Sequence, residues 1–220
     1  AISYMFVKIS DLKIYYKFKD LECYPPLEDS LLLNKYIPKF CENKKVLDLG
    51  CGTGIQGLEA YKYTKKVTFS DIDNNCIKLA KINFYLNYIN PKEDLERLYN
   101  IVDNFKFPVK FILSDLFENI NEKFDVILFN PPYLPEIDKE EENIKRWICG
   151  GKSGKELIER FLNDLENHLN KNGISLIIMS SFNDPKKIFN DFSDKYKFTL
   201  IEKIDFFLES LYLVKISKID

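Results

Sequence analysis

The sequence predicts an α/β protein with a mostly parallel sheet of seven strands and helices on both faces. Three observations lead to this prediction. From about residue 45, short runs rich in β-branched residues alternate with amphipathic stretches of helical period. The first run leads into a glycine-rich turn and then a helix. The last two runs are separated by only a few residues, which leaves no room for a crossover helix and predicts an antiparallel hairpin.

The predicted elements follow one another in chain order. The strands are 45–49, 66–72, 109–114, 124–129, 174–180, 198–204 and 211–216. The helices between them are 55–63, 75–86, 155–169 and 185–196. Residues 88–108 and 131–152 fit neither pattern, and long connections of this kind are usually functional or disordered.

A different pattern precedes these elements. The alternating runs 4–9 and 13–18 predict a hairpin, and the apolar stretch 31–36 predicts a helix. We therefore expect a small extension over residues 1–40 that packs on a main domain over residues 41–220.

The composition favours a folded protein that is not a general nucleic-acid binder. Hydrophobic residues make up 45% and aromatic residues 15% of the chain, enough for a substantial core. The 32 basic and 34 acidic residues nearly cancel, so no overall positive charge draws the chain to phosphates. Only Arg97, Arg146 and Arg160 are arginines, the side chains best suited to reading guanine edges. The overall balance is still compatible with a local patch of basic residues.

The five cysteines form no recognisable framework. They are scattered without a CxxC pair, and His168 is the only histidine. We therefore expect neither a disulfide framework nor a metal site, and we assign the cysteines to packing. No apolar stretch of about 18 residues or signal-peptide pattern stands out, which predicts a soluble protein of a reducing cytoplasm.

The glycine-rich turn carries the first candidate site. Residues 48–54 read Asp-Leu-Gly-Cys-Gly-Thr-Gly, and a turn between strand and helix lets the backbone approach a ligand. The glycines also satisfy G-x-G-x-x-G, and Asp71 follows after about 20 residues, so a nicotinamide or flavin enzyme remains an alternative, as does a turn without a ligand. Asp48 argues against a dinucleotide, because its carboxylate would repel a pyrophosphate and attract a cationic cofactor.

At this turn the sequence resembles the class I S-adenosylmethionine-dependent methyltransferases, whose first motif is similar to residues 46–54. The resemblance implies a Rossmann-like sheet with its ligand at the carboxyl ends of the strands. Asp48 and Gly50 would lie beside the methionine portion, and Asp71 would bind the ribose. Asp115 and Leu116 would hold the adenine. For each acid, a solvated cap at a strand end is the alternative.

The tetrapeptide Asn130-Pro131-Pro132-Tyr133 ends the fourth predicted strand and carries the second candidate site. The prolines supply no backbone donors, so the carbonyls of Asn130 and Pro131 can face a substrate. Such acceptors suit a planar amide or exocyclic amine, whose N–H groups they would bind while the nitrogen attacks the sulfonium methyl. Tyr133 would stack on the planar group. A simple loop start is the alternative.

Two further segments narrow the resemblance. Residues 24–33 and 147–156 resemble the HemK/PrmC superfamily, especially its short archaeal and eukaryotic branch, which modifies class I release factors. This implies that the substrate is the glutamine of a Gly-Gly-Gln loop. The catalytic residues implied are Asn130, Pro131, Pro132 and Tyr133. The residues implied for S-adenosyl-L-methionine are Ser30, Asp48, Gly50, Gly52, Gly54, Asp71, Ile72, Asp115, Leu116 and Asn130.

Charge near the tetrapeptide agrees with a protein substrate. Four acidic residues follow it and would repel phosphates, although a solvated loop is an equal alternative. They are Asp138, Glu140, Glu141 and Glu142. Two other functions stay open: N-methylation of a nucleobase in RNA or DNA, and a non-catalytic binding subunit. A non-catalytic subunit would be expected to lack Asp48, Gly50 or Asn130. All three are present, which argues against this hypothesis.

The third predicted strand indicates a partner. Residues 109–115 are too apolar for a sheet edge that is left bare. The resemblance implies a small zinc-ribbon activator subunit, which would add to this edge. Cover by residues 88–108 of the same chain is the alternative.

Overall fold

The structure, a computed structural model, describes residues 3–131 and 154–220. The chain divides into two compact units, Ala1–Ile120 and Asn121–Asp220. In the described ranges seven strands form one mixed sheet, and three more form a small N-terminal sheet. The mixed sheet and its final antiparallel hairpin confirm the predicted fold class.

The first unit begins with a small antiparallel sheet and a helix. The elements are β1 Tyr4–Ile9, β2 Leu12–Phe18, β3 Leu21–Glu22 and α1 Glu28–Cys41. Asn83, on a later helix, binds β2 beyond the two residues that pair with β3. Its Oδ1 accepts from Tyr15 N at 2.8 Å, and its Nδ2 donates to Tyr15 O at 2.9 Å. The N-terminal sheet is thereby fixed to that helix.

Three parallel strands are this unit's contribution to the large sheet, in the order β6-β5-β4. They are β4 Val46–Leu49, β5 Val67–Asp71 and β6 Lys110–Leu113. The helices are α2 Ile55–Ala60, α3 Asn74–Tyr88 and α4 Leu95–Ile101. Every residue of β4 and β5 is buried, as expected of parallel strands covered on both faces, whereas β6 is exposed at both ends.

Helix α4 lies in residues 88–108, where the sequence predicts neither strand nor clear helix. The side chain of Asp94 caps it by accepting from Arg97 N at 3.1 Å, and Leu98 is fully buried. With seven residues, the helix is too short for its apolar period to be recognised. After it, Phe107 packs on Phe111 of β6 with ring centroids 5.0 Å apart.

The second unit carries four strands in the order β7-β8-β10-β9. The strands are β7 Phe124–Phe129, β8 Leu169–Ser180, β9 Tyr196–Asp205 and β10 Ser210–Lys218. The helices are α5 Lys155–Leu165 and α6 Pro185–Asp191. Strands β7 and β8 are parallel, and β10 runs antiparallel to both β8 and β9, as the short connection predicts.

The start of β8 differs from the prediction because its first part is irregular. Leu169 pairs with Phe124, and pairing resumes only at Ile174 with Val126. Between these pairs the backbone of Asn172 is left-handed, with a φ of 64°. Only the regular part of the strand has the apolar run that the sequence reveals.

The expectation of unlinked cysteines is wrong for one pair. Cys23 and Cys76 form a disulfide with a Cα–Cα distance of 5.5 Å, although they are 53 residues apart in sequence. The fold brings them together by placing the end of β3 beside the first turn of α3. Cys41 and Cys51 are buried free thiols. Cys149 lies outside the described residues.

Within the described ranges, neither a membrane-spanning helix nor a metal-binding cluster is present. No helix in residues 3–131 or 154–220 is long and apolar enough to span a bilayer. Across the same residues, no group of three or more His, Cys, Asp or Glu side chains is placed to hold a metal ion.

Candidate active site

Asp48 lies at the carboxyl end of β4 and is almost completely buried, with 2% of its surface exposed. Its Oδ2 accepts a hydrogen bond from Gly57 N at 2.8 Å, which fixes the first turn of α2 to the strand. Burial raises the pKa of Asp48 well above its usual range, the Gly57 N–H opposes this, and the nearby Asp71 raises it further. The carboxylate therefore ties the helix that follows the glycine turn to the strand that precedes it.

The glycine turn requires left-handed backbone at three positions. Gly50, Gly52 and Gly54 have φ values of 63°, 54° and 90°, which a residue with a Cβ rarely adopts. Gly57 is needed for a different reason, because a Cβ there would lie 2.2 Å from Cε1 of the buried Phe69. Three glycines thus shape the turn, and the fourth lets α2 pack closely on β5.

Asp71 connects the end of β5 to the same turn. Its Oδ2 accepts from Gly52 N at 2.8 Å, and its Oδ1 accepts from Asp73 N at 2.9 Å. Burial raises the pKa of Asp71 to about 6, although these two N–H groups favour the charged form. The next residue, Ile72, has 54% of its surface exposed. The strand end therefore presents a fixed carboxylate followed by an accessible apolar side chain.

The turn after β6 is tied to the end of β5. Ser114 N donates to Asp71 O at 2.9 Å, and Ser114 Oγ donates to Leu116 O at 2.7 Å. Leu116 has a left-handed φ of 48°, a strained conformation for a residue with a branched side chain. Asp115 and Leu116 are both half-buried. The hydroxyl of Ser114 thus holds a turn that would otherwise be unfavourable.

Ser30 lies in the first turn of α1 and is buried, with 3% of its surface exposed. Gln56 Nε2, from α2, donates to Ser30 O at 3.5 Å. This places the predicted Ser30 next to the helix that follows the glycine turn. The structure therefore brings Asp48, the glycines, Asp71, Ser114 and Ser30 into one bonded network within the first unit.

Asn130 follows β7 in the second unit. It is half-buried, its Oδ1 atom is shielded from solvent, and Pro131 is buried. The strand before it is held firmly: Ser175 Oγ donates to Ile127 O at 2.8 Å, and the rings of Phe129 and Phe161 are 4.4 Å apart. The first half of the tetrapeptide therefore starts from a rigid strand end.

Several predicted residues lie outside the described ranges. They are Pro132, Tyr133, Asp138, Glu140, Glu141 and Glu142, together with all but the last three positions of the segment 147–156. Their roles remain sequence-based predictions.

One exposed feature was not predicted. The turn between β9 and β10 exposes Phe206, Phe207 and Leu208, with 42%, 96% and 78% of their surfaces accessible. The signal in the sequence is three consecutive apolar residues at a position where a hairpin turn is normally polar.

A mixed sheet of seven strands that ends in an antiparallel hairpin, with a glycine turn between β4 and α2, defines a Rossmann-like methyltransferase fold. Residues 28–204 match the family model described as "Methyltransferase small domain". The chain belongs to this family, and it is a methyltransferase.

Two relatives of known name indicate which kind of methyltransferase the chain resembles. The chain is 41% identical over 174 residues to the Methanocaldococcus jannaschii protein named "Putative protein N5-glutamine methyltransferase MJ0928", covering 77% of this chain and 78% of that protein. It is 33% identical to the release factor glutamine methyltransferase of Borreliella burgdorferi, over 73% of this chain and 52% of that enzyme. The chain thus spans about half the length of the bacterial enzyme.

A solved structure agrees with these relatives. The Mtq2–Trm112 complex of E. cuniculi, described as methylating the eRF1 translation termination factor, aligns with a TM-score of 0.61 and 25% identity. The alignment covers 89% of this chain and 98% of the matched chain. The resemblance to HemK/PrmC-type methyltransferases is confirmed, and the nucleobase alternative is the less supported one.

Proposed function

We propose that the protein transfers a methyl group from S-adenosyl-L-methionine to the glutamine side-chain amide in the Gly-Gly-Gln loop of a class I release factor. The observation that carries this proposal is the 41% identity over more than three quarters of both chains to a protein named for N5-glutamine methylation. The positions of Asn130 and Pro131 at a rigid strand end support it, because a neutral planar amide needs acceptors and no prior deprotonation.

The bonded network of the first unit fits S-adenosyl-L-methionine. Its carboxylates suit a cofactor that is cationic at sulfur and offers ribose hydroxyls, whereas a pyrophosphate would be repelled by Asp48 and Asp71. Asp71 would accept hydrogen bonds from the ribose, and the exposed Ile72 beside it would contact the adenine. The cofactor, when bound, supplies the electrophilic methyl group. The other holding residues are Ser30, Asp48, Gly50, Gly52, Gly54, Asp115, Leu116 and Asn130.

The tetrapeptide would position the substrate. The Asn130 side-chain oxygen and the Pro131 carbonyl accept the two N–H hydrogens of the glutamine amide, which returns electron density to the nitrogen. From the sequence, Tyr133 would stack on the amide plane, and Pro132 would supply no competing donor. Catalysis then comes from placing the nitrogen about 3 Å from the methyl carbon and from the electrostatic effect of the acceptors. The N–C bond would form as the S–CH3 bond of the cofactor breaks, leaving S-adenosylhomocysteine. The amide proton, which becomes acidic only as the new bond forms, would then pass to water, so no general base is needed beforehand.

A small zinc-ribbon activator would bind at β6. This strand is last in the strand order of its unit, and Leu113 has 49% of its surface exposed. The packing of Phe107 on Phe111 covers one face of the strand, in partial agreement with the alternative of cover by residues 88–108. Strand addition at the hydrogen-bonding edge is compatible with that cover. Full activity of the isolated chain would exclude an obligatory activator.

The decisive experiment compares two release factors that carry either Gln or Ala in the Gly-Gly-Gln loop. Each is incubated with the protein and methyl-labelled S-adenosyl-L-methionine. We expect label only on the Gln form. Equal labelling of both forms would reject the glutamine assignment, and label in RNA or DNA without label in the release factor would establish the nucleobase alternative.

A further inference from the structure

The turn between β9 and β10 exposes more apolar surface than folding requires. Phe207 is 96%, Leu208 is 78% and Phe206 is 42% exposed. Phe182, 39% exposed, lies in the short 3-10 turn Ser181–Asn183 after β8, which is joined to this turn because Ser210 N donates to Ser181 Oγ at 3.0 Å. We call these four residues the apolar tip. Single exposed apolar residues are ordinary, but a contiguous group marks a site of interaction. Phe207 in particular contacts so little of its own chain that it contributes almost nothing to the core.

The register of the strands places the apolar tip at the edge that also carries Asn130. Strands β7 and β8 are parallel, so Asn130 and Ser180 both stand at carboxyl ends. Ser180 pairs with Leu211 of β10, so the turn before Leu211 projects beyond that same edge. The apolar tip is thus on the side of this unit where the tetrapeptide begins.

Hydrogen bonds fix the shape of the turn. Phe206 N donates to Glu209 O at 2.7 Å, which closes it. Ser180 Oγ lies 2.7 Å from Glu209 Oε2, and it also accepts from Phe182 N at 3.1 Å. One buried hydroxyl therefore orients both parts of the apolar tip. A surface that is already ordered loses little conformational entropy on binding.

The charge around the apolar tip selects the kind of partner. Asp205 and Glu209 flank the three apolar residues. After Phe182, Asp184 and Asp191 balance Lys186 and Lys187, and Lys187 is paired with Asp191 at 2.9 Å. Lys203, the nearest base along β9, is paired with Asp205 at 3.3 Å. Nucleic-acid phosphates and anionic lipid headgroups would be repelled here, whereas an apolar protein surface with neutral or basic surroundings would be accepted.

We propose that the apolar tip is the docking surface for the substrate protein. It would pack against apolar side chains outside the glutamine loop, while the loop itself would bind at Asn130. This inference rests on the proposed function. It means that recognition is divided: the tetrapeptide binds the amide, and the apolar tip binds the body of the protein. A short peptide that contains the loop would then be methylated without help from the apolar tip.

The test uses the full chain carrying both Phe207→Ala and Leu208→Ala. These side chains are exposed, so the fold is retained. Leu200→Ala is the matched control, because Leu200 is a 56% exposed apolar residue in the middle of β9. Initial methylation rates are measured with the intact release factor and with a short peptide spanning its Gly-Gly-Gln loop.

We expect kcat/KM for the intact release factor to fall at least about tenfold, through KM, while kcat/KM for the peptide stays within about twofold. The control should match the wild type on both substrates. An unchanged KM for the intact protein would overturn the proposal, as would an equal loss on both substrates. Self-association of the chain, or binding to phosphatidylglycerol vesicles, that the double variant abolishes would also overturn it.

The same assay separates this proposal from the proposed function. If the wild type methylates neither substrate, both alone and with a zinc-ribbon activator subunit added, the proposed function fails, and calorimetric titration of release factor into wild type and double variant then decides the docking question. Binding that weakens about tenfold in the variant would still support the apolar tip. Equal or absent binding would reject it.

Discussion

The carboxyl edges of the strands in the two units differ in chemistry. In the first unit they carry buried carboxylates: Asp48 accepts a backbone N–H group of the first turn of α2, and Asp71 accepts N–H groups of the glycine turn and of the loop after β5. In the second unit the edge carries a neutral amide, Asn130, a hydroxyl, Ser180, and exposed apolar side chains. This contrast agrees with the proposed function, in which the edge of the first unit binds a cationic cofactor and the edge of the second unit binds a neutral amide on a protein.

The largest effect is expected at Asn130. Asn130→Ala removes one acceptor for the amide hydrogens and should lower turnover on the order of a thousandfold. Cofactor affinity should stay within a few-fold, because the other nine residues proposed to hold the cofactor, all in the first unit, are intact. Radiolabel transfer gives the rate, and calorimetry gives the affinity.

Asn100→Ala is the matched control for this prediction, since Asn100 is an exposed asparagine in α4 that donates to Glu96 O. It should leave both quantities unchanged. If Asn130→Ala instead abolished cofactor binding, the proposed division between the two edges would be wrong.

The second prediction concerns the covalent link beside the glycine turn. A Cβ on Gly52 would lie 3.5 Å from Cys23 Sγ, so the Cys23–Cys76 disulfide is adjacent to the glycine turn. Closing a loop of this length restricts the unfolded chain by up to about 4 kcal/mol in the entropic model. Replacing both cysteines by alanine should lower the free energy of unfolding by a large part of that amount, measured by urea denaturation.

Reductant provides the control for the disulfide. It should destabilise the wild type by a similar amount and leave the double alanine variant unaffected. Alkylation of Cys23 and Cys76 in the unreduced native protein would contradict the link. In that case the first unit would be held by packing and hydrogen bonds alone.

The two edges also differ in how much of their structure could be predicted from the sequence. The strands and the glycine turn were predictable because runs of β-branched residues and closely spaced glycines are signals that lie within a few residues of the sequence. The Cys23–Cys76 pair was not, since only the folded chain brings the two residues together. The apolar tip has a local signal, but its position beside Asn130 depends on the register of β8 and β10. Local chemistry is readable from the sequence, whereas juxtapositions of distant segments require the fold.

The smallest effect is a pH dependence of cofactor binding at the first edge. The pKa of Asp71 is about 6, raised mainly by burial, with the neighbouring Asp73 adding to the shift. The charged form should accept the ribose hydroxyls best. Affinity for S-adenosyl-L-methionine should therefore increase as pH rises toward 6, by up to about tenfold per unit, and level off near 7. Calorimetry between pH 5 and 8 measures it.

Stability provides an independent check, because its sign is opposite. The folded pKa of Asp71 lies above the unfolded value near 3.8, so the folded state binds the proton more tightly. The stabilisation is complete below pH 3.8 and is lost as pH rises through about 6. Binding and this part of the stability should thus change in opposite directions over the same interval, which a simple loss of folded protein at low pH would not produce. Asp71→Asn should weaken binding and flatten its pH dependence, leaving only the contribution of Asp48. If the wild-type affinity for S-adenosyl-L-methionine were constant from pH 5 to 7, the proposed role of Asp71 in binding the cofactor would be wrong.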